Sequence, residues 1–184
     1  MHYWLNFIFM QLVWFAAVGG AGRGIAWAGP LAFAAFAAAH FAFAPRVPGE
    51  WRLMAAAILL GGATDSLMTA AGFATYASPV PSTQLAPVWI IALWAGFALT
   101  LNHSLAWMTR RPLMAALIGG VVGPLSYLGA GRLFNAVTFA EPLLRSLAVL
   151  GACWFVAMLV LCHFAVQWRR PAKMSAPLPL MRAP

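Results

Sequence analysis

Charge is scarce in this chain, and negative charge scarcest. Only 8% of its 184 residues are charged, and the acids number three: Glu50, Asp65 and Glu141. A soluble domain carries roughly a quarter charged residues, so this chain is not built to meet water over its whole surface. Cysteine is nearly missing too. Cys153 and Cys162 lie nine residues apart in one apolar segment, about 13 Å of helical rise. That is too far for a disulfide and is not a metal-site spacing, so both read as small apolar packing residues. No Lys or Arg precedes the first apolar run, "MHYWLNFIFMQLVWFAAVGG", where a cleaved secretory signal carries its positive region. The run is expected to stay as a membrane span. No G-x-S-x-G elbow occurs, which argues against a serine hydrolase.

Apolar residues are plentiful: 64% of the chain, with a mean hydropathy of +0.85. A small soluble core cannot bury that much apolar surface, so lipid must take its place. Six apolar runs approach the roughly 20 residues needed to cross a bilayer, at 3–21, 25–44, 53–76, 88–108, 113–131 and 143–167. The reading is an all-α integral membrane protein, a six-transmembrane-helix bundle forming one domain over 1–167. Residues 168–184 form a basic, Pro-rich tail expected to be disordered. The connections are short and leave no room for a soluble catalytic module.

The net charge of +8 comes from basic residues placed singly or in pairs at the ends of apolar runs, the arrangement of topology-setting charges. Nucleic acid is therefore not an expected partner. With six spans, Arg46, Arg52, Arg110, Arg111, Arg169, Arg170, Lys173 and Arg182 share one side, against Arg23, Arg132 and Arg145 on the other. That asymmetry places both termini in the cytoplasm. Arg169, Arg170, Lys173 and Arg182 would meet anionic headgroups there. On the far side Arg132 and Arg23 are candidate headgroup contacts. Glu141 and Arg145, four apart, are expected to pair with each other.

An ionisable side chain inside a span costs about 2.5–3.5 kcal/mol and usually faces a partner in the bundle. Asp65, in "LLGGATDSLMTAAG", sits near the midplane when depth is counted at 1.5 Å per residue. Tyr127 lies at a similar level and Gln11 slightly shallower, so these two are its candidate hydrogen-bond partners. Gly61, Asp65, Thr69 and Gly72 form one helical stripe, and Gly120, Gly123, Tyr127 and Gly131 another. Small residues in such stripes allow close helix approach in membranes, so the third and fifth spans are expected to pack on each other. Pro124, among glycines, is expected to kink or unwind the fifth span. The candidate polar pocket, between the third, fourth and fifth spans, comprises Asp65, Tyr127, Gln11, His103, Ser126 and Asn102. The competing reading is a polar clasp between two helices.

A shallower layer holds His40, His103 and His163, with Asn6 and Asn102 nearby and His2 at its edge. Three histidines at one level could bind a metal, but no His-x-x-x-His spacing occurs and no acid belongs to the layer by this counting. The favoured reading is interfacial histidines beside Trp4, Trp107 and Trp168, with no metal and no cofactor. His103 and Ser104, adjacent in "LNHSLAW", would need separate partners.

Taken together, "NFIFMQLVWFAAV", "GGATDS", "PVWIIALWAGFALTLNHSLAW" and "GPLSYLGAGRL" resemble the DUF2878 family, a domain family of unknown function. The resemblance implies a small multispan protein of the bacterial inner membrane, of a family whose members often accompany lipid-modifying enzymes of the fatty-acid methylating kind, an association rather than a mechanism. The leading expectation is an accessory or lipid-binding role in membrane-lipid modification or envelope stress, with membrane lipids and a lipid-modifying enzyme as partners. One deep acid and a histidine roughly 10 Å shallower do not make an acid–base pair, so catalysis is not favoured. The alternatives are a small proton-coupled transporter with Asp65 as protonation site and a purely structural partner subunit.

Overall fold

The computed structural model describes residues 3–169. His2 and tail residues 170–184, with Arg170, Lys173 and Arg182, lie outside the described residues. The elements run α1 (Tyr3–Ala21), α2 (Ala28–Phe43), α3 (Glu50–Ala70), β1 (Ala74–Tyr76), α4 (Val88–Leu101), α5 (Ala106–Thr109), α6 (Pro112–Phe134), β2 (Val137–Phe139) and α7 (Leu143–Arg169). Of the described residues, 74% are helical. Each of the six apolar runs has become a helix, but only four are long and apolar enough to cross a membrane: α1, α3, α6 and α7, of 19, 21, 23 and 27 residues. At 16 and 14 residues, α2 and α4 are shorter than the runs that predicted them.

Local chemistry explains the shortening. After Leu101 the chain turns through Asn102–Leu105 and makes the single helical turn α5, so the expected span 88–108 is broken at "NHSL". The expected third span, 53–76, is displaced rather than broken. Gly49 takes a left-handed φ of 78° against Trp168, which lets α3 begin at Glu50. At the other end Gly72, with φ 70°, closes the helix: its N–H bonds to the Thr69 carbonyl and that of Phe73 to the Met68 carbonyl. Left-handed glycine termination of this kind is common. Gly72 is therefore a helix stop and not a member of the packing stripe. Beyond it, Ala74–Tyr76 pairs antiparallel with Val137–Phe139, Ala74 opposite Phe139 and Tyr76 opposite Val137.

The helices pack up and down. Asn6 near the start of α1 bonds to His40 near the end of α2 and to Ser104 beyond α4, and Arg169 at the end of α7 bonds to Asn102. Both ends of the described chain thus lie at one end of the bundle. The two-stranded sheet caps the opposite end, where the Ser78 hydroxyl donates to the Ala21 carbonyl at 2.9 Å.

The glycine stripes do not meet each other as expected. α3 packs on α4 and α7, and α6 packs on α7. Gly61 accommodates the Trp94 ring, while Gly119, Gly120 and Gly123 face Met158, Gly151 and Trp154 of α7. Nor does Pro124 unwind its helix: α6 is continuous from Pro112 to Phe134. Leucines and aromatics remain exposed on several helices, among them Leu31, Leu59, Leu133 and Leu144, more apolar surface than a soluble monomer usually shows.

Candidate functional site

Asp65 is fully buried and accepts three hydrogen bonds. The Tyr76 hydroxyl donates to Oδ1 at 2.8 Å, the Trp94 indole N–H to Oδ2 at 2.9 Å, and the Tyr127 hydroxyl to Oδ2 at 3.0 Å. The carboxyl group therefore ties together α3, α4, α6 and β1. Tyr127 was an expected partner. Tyr76 comes within reach because the chain reverses at Gly72 and the strand folds it back onto α3. Trp94 fits against Gly61, one turn from Asp65 on the same helix, because glycine leaves room for the ring.

On the far side of Trp94 and Tyr127 lies a cavity of about 550 Å³. Its wall comes from α1, α4, α6 and α7, with Trp107 and Met108 of α5 closing one end. The expected pocket between the third, fourth and fifth spans is thus replaced by one that α3 does not line. Asp65 stands behind the wall and holds two of its side chains. Gln11 and Ser126 are on the wall as well. Gln11 is exposed and does not bond to Asp65, while the Ser126 hydroxyl bonds back to the Gly123 carbonyl at 2.7 Å. The mouth is framed by exposed apolar residues, Phe7 and Phe15 of α1 and Val122 and Leu125 of α6. Trp154, stacked on Trp94 with ring centroids 4.3 Å apart, also lines the cavity. Its buried indole N–H has no hydrogen-bond partner among the described residues.

A second polar cluster sits at the end of the bundle where both chain ends lie. Nε2 of His103 and Nε2 of His40 approach the same Glu50 oxygen, at 2.5 and 3.2 Å. All three residues are buried. This layer does contain an acid, contrary to the sequence expectation, because α3 starts three residues earlier than its apolar run and carries Glu50 inward. His163 is exposed on α7 and takes no part. His103 and Ser104 do have separate partners, Glu50 and Asn6. Asn102 accepts from Arg169 at 2.6 Å and does not belong to the Asp65 site.

The other expected contacts are distributed differently. Glu141 accepts the Leu143 N–H at 2.9 Å, and Arg145 lies over the Phe73 ring, 5.3 Å from its centroid, so the two make no ion pair. Arg23 donates to the Gly19 carbonyl at 3.2 Å and Arg132 is exposed; both stand at the capped end of the bundle.

Fold and site together define an all-helical chain with four helices able to cross a membrane, a carboxylate-centred polar core and an apolar side cavity. Residues 3–160 match the model of a family described as "Protein of unknown function (DUF2878)", and the chain belongs to that family. No curated protein and no solved structure matches it.

Proposed function

We propose that this is a multi-pass protein of the bacterial inner membrane, with α2 and α4 completing a six-span bundle and both termini in the cytoplasm. Its cavity holds the acyl chain of a membrane lipid, and it serves membrane-lipid (fatty-acid) modification as an accessory, lipid-binding component. The supporting observation is the cavity: about 550 Å³, largely apolar, with its mouth between exposed apolar faces of α1 and α6. Small-molecule sites run to roughly 300–1,000 Å³ and combine apolar walls with a few convergent polar groups. Here those groups are Gln11, Tyr127, Ser126 and the unpartnered Trp154 indole N–H, a donor suited to a lipid carbonyl. A mouth at the side of the bundle admits a chain from the bilayer. Arg23 and Arg132 belong to the opposite leaflet in this topology, where both are exposed and able to meet phosphate.

Proton-coupled transport with Asp65 as carrier is the weaker reading. The carboxyl group is fully buried, occupied by three donors, and separated from the cavity by Trp94 and Tyr127.

The test is comparative lipidomics of a deletion strain complemented with wild type or Asp65→Asn. The proposal predicts an altered fatty-acid profile on deletion, restored by both genes, because asparagine can keep most of the hydrogen bonds. An unchanged profile overturns it. Restoration by wild type alone, with Asp65→Asn at wild-type abundance, favours the transporter reading.

A further inference from the structure

We propose that His40, Glu50 and His103 form a site for one divalent transition-metal cation, at the bundle end where α2 finishes and α3 begins. The proposal is independent of the cavity and its lipid. Two imidazole nitrogens and one carboxylate oxygen lie within 4.8 Å of one another, His40 and Glu50 from either side of the α2–α3 connection and His103 from the turn after α4. The rings stand at 88° with centroids 4.5 Å apart, so both Nε2 atoms point at the same Glu50 oxygen. A histidine pair with one carboxylate is a donor set used for zinc and other first-row divalent ions, leaving further coordination positions open.

The geometry needs only small adjustment. Ligand distances of about 2.0–2.1 Å separate tetrahedral donor atoms by roughly 3.4 Å. A cation would widen the short His103–Glu50 contact and draw the imidazoles around it, shifts on the order of 1 Å that χ rotations supply. Burial favours the loaded state as well. Among the described residues Glu50 has the two histidines and no Lys or Arg against it, so a cation held by all three would supply the fixed positive charge that a buried carboxylate calls for.

Asn6 sets the proton arrangement. Its Nδ2 faces the Leu99 carbonyl and His40 Nδ1, each at 3.3 Å, and its Oδ1 accepts from Ser104 at 2.6 Å. With an amide donor on Nδ1, metal-free His40 carries its proton on Nε2, aimed at Glu50. When the metal binds, that proton leaves Nε2 and Nδ1 takes one up, so neutral His40 loses none on balance. To accept from Nδ1 the Asn6 amide would turn its oxygen there and donate to the Ser104 hydroxyl, giving up its bond to the Leu99 carbonyl. A metal-bound histidine commonly gives its other N–H to such an acceptor.

Full-length protein in lipid nanodiscs, incubated with Zn(II) and dialysed, is compared by elemental analysis with Glu50→Gln, His103→Gln and His163→Ala. Glu50→Gln is the informative variant, because its amide oxygen still accepts from both histidines and preserves a hydrogen-bonded clasp. The expected result is about one zinc per chain in wild type and His163→Ala. Affinity in Glu50→Gln should fall by more than the roughly 10–100-fold cost of losing a partner behind a ligand. Co(II) added to wild type should give ligand-field bands of a four- or five-coordinate ion, a readout independent of any variant's folding. Absence of both zinc and these bands in wild type overturns the proposal, as does equal retention by folded Glu50→Gln.

Discussion

Asp65→Leu is expected to cost at least about 3 kcal/mol of stability, because it strands three buried donors, each worth about 1–3 kcal/mol when left unpaired. The Tyr76 and Tyr127 hydroxyls and the Trp94 N–H have no other acceptor among the hydrogen bonds described. Against a typical total of about 5–15 kcal/mol, that is enough to deplete folded protein from the membrane. Asp65→Asn should cost only about 1 kcal/mol, one ordinary hydrogen bond. Its carbonyl can take the Oδ2 position and accept from Trp94 and Tyr127, while its amide donates to the Tyr76 hydroxyl, which can turn to accept. Thermal unfolding in detergent should rank wild type, Asp65→Asn and Asp65→Leu in that order. An Asp65→Leu variant as stable as wild type would show that the carboxylate does not anchor the wall. Equal loss in both variants would show that its charge, not its acceptor capacity, is what the fold requires.

The second large effect is expected at Gly61. A Cβ there would overlap the five-membered ring of Trp94. The indole has little freedom to retreat, since it is held by Asp65 on one side and stacked on Trp154 on the other. Overpacking a filled interior costs about 1–3 kcal/mol and occasionally more. Gly61→Ala should fall within that range and Gly61→Leu at or beyond its upper end. Because ring displacement also breaks the bond to Asp65, Gly61→Ala and Asp65→Asn should be non-additive, as contacting sites usually are. Unfolding of the two single variants and the double variant measures this. Strict additivity would mean that Trp94 moves without losing its hydrogen bond.

The Asp65–Tyr127 contact was legible in the sequence because helical rise converts residue number into depth, whichever helices are neighbours. Tyr76 was hidden by counting the third span through to residue 76. The signal against that was Gly72, whose left-handed turn brings the following strand back across the helix end. Trp94 reads as one more apolar residue in a span, although a buried indole usually seeks an acceptor for its N–H. Glu50 falls outside the apolar run that begins at 53, because helix starts are set by backbone geometry, here Gly49 against Trp168, and not by where hydrophobicity begins. The cavity left no trace in periodicity. The helices around it are apolar on most faces, so nothing in their pattern separates a face that meets a neighbour from one that borders a void.

Gly129 gives the most direct test of the lipid cavity. It lies on the wall, and a Cβ placed there meets nothing within 4 Å. Gly129→Leu should therefore occupy part of the cavity without a clash, and replacing a helical glycine should favour α6 by up to about 1 kcal/mol. The measurement is native mass spectrometry of wild type and Gly129→Leu released from the same detergent. The account predicts a co-purifying acyl lipid on wild type, largely lost from a Gly129→Leu protein of equal or greater thermal stability. A wild type that carries no lipid, or a variant that retains it undiminished, would contradict the account.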